Sequence, residues 1–175
     1  MAAVTRLGKG LGFLLAPLLL AMQFGSGDLS ISRVALPDGS VWMQDVSGSG
    51  RKLGLDIFLK NNTGRTFDVW DPKNSEGSVC PSLVLTAQDG HRVTLRPLGV
   101  ERSGVPTVVH LAAGEILHIP LNLADMLSDG PLSPGVYRAE VVYRNTRTDA
   151  GPYHGVWTGE IRSSAFELRV VRRAQ

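Results

Sequence analysis

Cysteine is nearly absent from this chain, since Cys80 is the only one in 175 residues. A single cysteine cannot form an internal disulfide, so a stable fold has to depend on a hydrophobic core. Free cysteine is among the residue types that are most often buried, and we therefore predict that Cys80 is an inert core thiol. Pairing with a cysteine of another molecule is the alternative.

Motifs that support catalysis are also missing. The chain has no Gly-x-Ser-x-Gly nucleophile turn, no Gly-rich phosphate loop and no cysteine with an evident histidine partner. Paired carboxylate side chains, which could act as a general acid and base, occur only as ordinary alternating surface charges. These absences predict that the protein is not an enzyme, although residues that are distant in the sequence can still converge in a fold.

Patterns of metal ligands are equally sparse. The four histidines include no His-x-His pair, and the chain has no Cys-x-x-Cys. His110 and His118 fall on neighbouring predicted strands, but a zinc or copper site would need a third ligand. Residues 68–76 form an oxygen-rich loop that leaves calcium binding open, yet Pro72 interrupts it and the EF-hand spacing is absent. We expect no metal and no cofactor.

Neither sign of charge is in excess once the N-terminal segment is set aside. The chain has 18 Lys and Arg residues and 16 Asp and Glu residues, and two of the basic residues, Arg6 and Lys9, precede residue 28. Residues 28–175 therefore hold 16 basic and 16 acidic side chains, for a net charge of about zero. This balance predicts no nucleic-acid partner and no electrostatic attraction to an anionic membrane surface.

One apolar run stands out, and it lies at the N-terminus. A basic start is followed by a nearly all-apolar stretch over residues 11–24 and by small residues at 25–27. This order predicts a signal peptide over residues 1–27, forming a signal helix ahead of the fold. The run is short for a bilayer span, which needs roughly 20 residues, and Pro17 interrupts it. The alternatives are an uncleaved membrane anchor and a buried N-terminal helix.

Strand patterns dominate residues 28–175. Leu53, Leu55, Ile57 and Leu59 fall at every second position, which predicts a central strand over residues 53–60 with these side chains pointing inward. Near the C-terminus, alternation of Phe166 with later apolar residues predicts a closing strand.

Turn signals separate the predicted strands. Asp-Gly at residues 89–90 lies between two apolar runs, at 82–87 and 92–96, and predicts a tight hairpin. Only residues 121–128 show helical spacing, and Gly-Pro at 130–131 ends that segment within about two turns. Eight or nine short strands with no long helix predict one all-β domain over residues 28–175, an antiparallel β-sandwich.

The segment Leu132-Ser-Pro-Gly-Val-Tyr137 resembles the tyrosine corner of immunoglobulin-like sandwiches. This resemblance implies that the Tyr137 ring packs in the core and that its hydroxyl binds nearby backbone. By alternation along the following strand, Tyr143 shares the inward face with Tyr137.

Further segments are similar to exported bacterial immunoglobulin-like domains. They include Leu-x-Leu-x-Ile-x-Leu-x-Asn-Asn at 53–62, a Gly-Glu turn at 114–115, Val-Trp-Asp at 69–71 and Val-Trp-Thr-Gly at 156–159. The layout is also distantly similar to the intracellular proteinase inhibitor (BsuPI-like) family of bacilli. The resemblance implies an immunoglobulin-like fold and identifies no activity, because this fold serves many functions.

Trp70 and Trp157 are predicted to fill the core, since large rings in a small sandwich usually do so. An exposed aromatic cluster for carbohydrate or peptide recognition is the alternative.

The function that we expect is an exported, non-catalytic immunoglobulin-like module for binding or structure. It would act through contacts with an unidentified protein partner, in the periplasm, elsewhere in the cell envelope or as a secreted protein, and would touch a membrane only through an uncleaved N-terminal segment. The alternative is a proteinase inhibitor that presents the loop at residues 96–106 to a protease cleft. The candidate contact residues of that loop are Arg96, Leu98, Val100 and Arg102.

Overall fold

A computed structural model of the protein describes residues 27–37, 39–44, 53–73, 77, 80–98, 106–128, 132–150 and 152–172. Nearly all regular structure in these residues is β. Apart from Gly27, the predicted signal segment lies outside the described residues.

Twelve strands are described, more than the eight or nine that the turn signals indicate. In the first half of the chain they are β1 (Leu29–Ala35), β2 (Val41–Gln44), β3 (Gly54–Asn61), β4 (Phe67–Trp70), β5 (Pro81–Thr86) and β6 (Arg92–Pro97). In the second half they are β7 (Val108–Leu111), β8 (Ile116–Asn122), β9 (Met126–Ser128), β10 (Gly135–Asn145), β11 (Gly159–Arg162) and β12 (Phe166–Arg172).

The strands form three sheets. One sheet has the order β1-β3-β8, a second has the order β2-β12-β10-β5-β6-β9 with β11 also paired to β10, and β4 pairs with β7 in the third. Every described pair is antiparallel except β2 with β12, which run parallel, so the expectation of a wholly antiparallel arrangement was wrong at this edge. Apolar side chains from all three sheets belong to one hydrophobic cluster.

Strand β3 is the centre of the three-stranded sheet, between β1 and β8. Leu55, Ile57 and Leu59 are fully buried, and Leu53 just ahead of the strand is nearly so. The predicted register is confirmed. Phe58, on the opposite face, contacts its cross-strand neighbours: the His118 ring stacks on it at 4.9 Å between centroids.

Strand β10 carries the predicted tyrosine face. Tyr137 and Tyr143 are both buried and belong to the hydrophobic cluster. The Tyr137 hydroxyl donates a hydrogen bond to the Ser133 carbonyl at 2.7 Å, which is the contact that the corner motif implies. Burial raises the pKa of the Tyr143 phenol, and the neighbouring Cys80 raises it further. Cys80 is itself buried, as predicted.

We expect Tyr137→Phe to lower the free energy of unfolding by about 1 kcal/mol, because the ring keeps its packing and only the hydrogen bond to Ser133 is lost. Urea denaturation measures this change. Tyr153→Phe, on a half-buried ring outside β10, is the matched control and is expected to stay near wild type. Wild-type stability of Tyr137→Phe would show that the corner bond contributes nothing.

The predicted hairpin is confirmed, since β5 and β6 pair antiparallel and Gly90 in their turn has a φ of 86°.

The helical expectation for residues 121–128 was wrong except for one 3-10 turn over Leu123–Asp125. The Asn122 side chain accepts a hydrogen bond from the backbone N–H of Ala124 and so caps the N-terminal end of this turn. The residues that follow pair with β6 as β9, so sheet pairing outweighs the local helical spacing.

Trp70 and Trp157 are both buried, which confirms their assignment to the core. The indole N–H of Trp70 donates to the Arg147 carbonyl at 3.1 Å.

Candidate binding groove

The predicted inhibitor loop is described only at its ends. Arg96 lies near the end of β6, and Leu98 follows that strand with 48% of its surface exposed. The Leu98 N–H donates to the Asp125 carbonyl at 3.1 Å, which ties the start of the loop to the 3-10 turn. Val100 and Arg102 lie outside the described residues.

The two candidate metal-binding histidines lie in different sheets. His110 on β7 pairs with Asp68 at 2.5 Å, and His118 on β8 pairs with Asp56 at 2.8 Å. Each imidazole therefore has its own carboxylate across a strand pair. Among the described residues, no group of three or more His, Cys, Asp or Glu side chains is placed to hold a metal ion.

The oxygen-rich loop is described as far as Lys73, and Asn74, Ser75 and Glu76 lie outside the described residues. The Asp71 carboxylate accepts from the Lys73 N–H at 2.9 Å and from the Thr107 hydroxyl at 3.2 Å. The contact with Lys73 is that of an Asx turn, and the contact with Thr107 ties the carboxylate to the segment before β7.

A cationic groove lies on one face of the seven-stranded sheet. It has a volume of about 600 Å³ and is lined by side chains of β5, β6, β10, β11 and the segment after β10. Among the described residues, the groove is lined by five arginines and one acidic residue, Glu160; the arginines are Arg92, Arg96, Arg144, Arg147 and Arg162. We call this the arginine groove.

Strand alternation builds one wall of the arginine groove. On β6, Val93 and Leu95 are buried in the hydrophobic cluster. Successive side chains of a strand point to opposite faces, so Arg92, Thr94 and Arg96 project from the other face and line the groove. No described carboxylate forms an ion pair with Arg92 or Arg96, so both guanidinium groups on this wall can face a ligand.

The floor of the groove is small and apolar. Val84 on β5 and Val142 on β10 are buried, yet neither belongs to the core cluster on the other side of the sheet. Their cover therefore comes from the surrounding groove side chains. Val84 lies opposite Thr94, and Val142 lies opposite Ser82, so the floor runs along two adjacent central strands.

Acidic side chains hold the second wall in place. The Arg162 guanidinium donates twice to Glu160, at 2.7 and 3.0 Å, and also lies 3.7 Å from Glu140. Arg144 lies 3.9 Å from the other Glu160 oxygen. Because its arginines are paired with carboxylates, this second wall presents less uncompensated positive charge than the β6 wall. The same ion pairs fix the orientation of its side chains.

The chemistry that this arrangement supports is the binding of anions. Guanidinium groups stay protonated at all physiological pH values and offer forked donors that match carboxylate or phosphate oxygens. For the same reason they do not serve as general bases. The one thiol that borders the groove, Cys80, is buried.

The arginine groove was missed in the sequence because the overall charge balance conceals it. A partial signal was present: Arg92 and Arg96 alternate with buried-type residues beside a clear hairpin turn, so they had to face outward. Arg144 and Arg162 join them only through the pairing of β10 with β5 and with β11, which is not encoded in any local pattern.

No protein-family model matches this chain, and a search of curated proteins gives no match either. Within the described part of the chain, no helix has the length and apolar character to cross a membrane.

Proposed function

We propose that this protein is an exported, non-catalytic immunoglobulin-like β-sandwich module that binds an acidic protein partner through the arginine groove. The single observation that carries the proposal is the groove itself, with two arginines on one wall that have no carboxylate partner among the described residues. Partner contact would take place in the cell envelope or outside the cell.

Two features support the immunoglobulin-like assignment. The bond from Tyr137 to Ser133 has the form of a tyrosine corner. The three-stranded and seven-stranded sheets also share one hydrophobic cluster, which is what two packed layers require. Export is supported by the sequence pattern of residues 1–27.

A protein partner is favoured over a nucleic acid by the lining of the groove. Proteins that bind single strands combine cationic side chains with aromatic rings on which bases stack. No aromatic side chain lines the described groove. Forked guanidinium groups beside an apolar floor are suited to carboxylates that are carried on a partly apolar surface.

The proposal is tested by comparing wild-type protein with Arg92→Ser/Arg96→Ser in quantitative capture from cell-envelope extract. We expect the variant to retain roughly tenfold less of the specific partner, because two solvent-exposed ion pairs, each contributing up to about 1 kcal/mol, are lost. Binding to the wild type should also weaken as salt concentration rises.

Arg169→Ser, an exposed arginine on β12 outside the groove, is the matched control and should capture the partner as the wild type does. Thermal unfolding of all variants checks that the fold is intact. Equal capture by wild type and the double variant would show that the groove is not the binding site.

A further inference from the structure

The two arginines of the groove that have no described carboxylate partner are separated by two repeats of an extended strand. Arg92 and Arg96 are four residues apart on β6 and project from the same face. Since a strand rises by about 3.3 Å per residue, their backbone positions are about 13 Å apart. Thr94 lies midway between them and adds a hydroxyl to the same wall.

The groove has room for one extended chain lying along the strands. Its walls are on β6 and β11, with β5 and β10 between them, so three strand spacings, about 14 Å, separate the walls. The floor offers Val84 and Val142, which suit the apolar atoms of a ligand backbone and its small side chains.

We propose that the arginine groove binds an extended peptide segment with two acidic residues four positions apart, running along β6. In an extended peptide, residues i, i+2 and i+4 point to one side, and this spacing repeats that of Arg92, Thr94 and Arg96. The acidic side chains at i and i+4 meet the two arginines, and a small or polar side chain at i+2 meets Thr94. This inference rests on the proposed function and specifies the chemistry of the partner.

The second wall explains why the acidic residues face β6. Glu160 already satisfies Arg162 there and would repel a further carboxylate. Residues i+1 and i+3 of the peptide point toward this wall, where neutral or polar side chains avoid that repulsion. Asymmetry between the walls therefore sets the side that the acidic residues face, and the positions of Arg92 and Arg96 set their spacing.

The test uses two labelled polythreonine nonapeptides that differ only in the position of two Glu residues. One has the Glu residues four apart, on one side of an extended chain, and the other has them three apart, on opposite sides. Fluorescence anisotropy with the wild-type protein at about 50 mM and about 200 mM salt measures both affinities.

We expect the four-apart peptide to bind about fivefold more tightly than the three-apart peptide, which can engage only one of the arginines. Arg96→Ser should abolish this difference, and Arg169→Ser should preserve it. Equal affinities of the wild type for both peptides would overturn the inference, because charge alone would then explain binding.

A soluble acidic polysaccharide, alginate, is included as the competing class of ligand. Binding of alginate that depends on Arg92 and Arg96, without binding of either peptide, would overturn the peptide assignment and still leave an anion-binding groove. Suppose that neither peptide binds, while capture of the partner from envelope extract still depends on Arg92 and Arg96. That result would reject only the stated spacing of the acidic residues. Loss of the arginine dependence in both experiments would reject the proposed function as well.

Discussion

Ile57→Asp is expected to abolish folding. Ile57 lies at the middle of β3, has no exposed surface and is flanked on both sides by paired strands. An aspartate there would place an unpaired carboxylate in the apolar cluster, at an effective penalty of several kcal/mol, roughly the whole stability of a small domain. Leu55→Asp is expected to have the same result for the same reason.

Circular dichroism and thermal unfolding of the purified variants measure this effect. The control is Asp56→Ser, on the opposite face of the same strand, where the carboxylate is partly exposed and accepts a hydrogen bond from His118. We expect that variant to unfold within about 1 kcal/mol of wild type, since exposed ion pairs contribute little. A cooperative transition at the wild-type temperature for Ile57→Asp would contradict the inward register.

Local patterns were sufficient to predict the elements that are central in the fold. The alternation in β3 and β10 identified their buried faces because one side of each strand is almost continuously apolar, whereas the charged residues fall on the other side. The Asp-Gly turn identified the β5–β6 hairpin because few residues adopt the backbone angles that it needs.

Strand partners that are distant in the chain could not be predicted in this way. β7 follows the Pro97 connection and pairs with β4 rather than with its neighbour in sequence, β8. β2 pairs in parallel with β12, more than a hundred positions away. Many strands of similar pattern are available to each edge, and the choice among them depends on the packing of the whole core.

The arginine groove shows how this limit affects function. Its cations are scattered over more than 70 positions of a chain with almost no net charge, so no segment looks basic. Antiparallel pairing of β6, β5, β10 and β11 places outward residues of each strand side by side. The sheet thus converts a neutral composition into a locally cationic surface, and the corresponding acidic residues, such as Glu160, become its orienting partners.

Trp157→Ala is the second substitution with a large expected effect. The ring is buried and lies 6.0 Å from that of Tyr143, centroid to centroid. Its backbone N–H donates to the Asp68 carbonyl at 2.8 Å, and its carbonyl accepts from the Asn145 side chain. Trp157 therefore closes the core where the segment before β11 crosses β4 and β10. Removal of the ring leaves a cavity, which is expected to lower the free energy of unfolding by about 3–5 kcal/mol.

Urea denaturation of Trp157→Ala and Trp157→Phe separates packing from hydrogen bonding. The indole N–H of Trp157 is buried and has no partner among the described residues, so phenylalanine loses ring volume but no hydrogen bond. We expect Trp157→Phe to be clearly more stable than Trp157→Ala. A loss below about 1 kcal/mol for the alanine variant would place the ring at the surface, because only exposed sites tolerate such a truncation.

Gly159 supplies an independent check on the position of the Trp157 ring. A Cβ at Gly159 would lie 2.9 Å from the ring, and the residue has a φ of 148°, so Gly159→Ala meets both a clash and backbone strain. Trp157→Ala removes the clash and leaves the strain. The two substitutions together should therefore destabilise the protein less than the sum of their separate effects, whereas strict additivity would mean that the ring and Gly159 are not in contact.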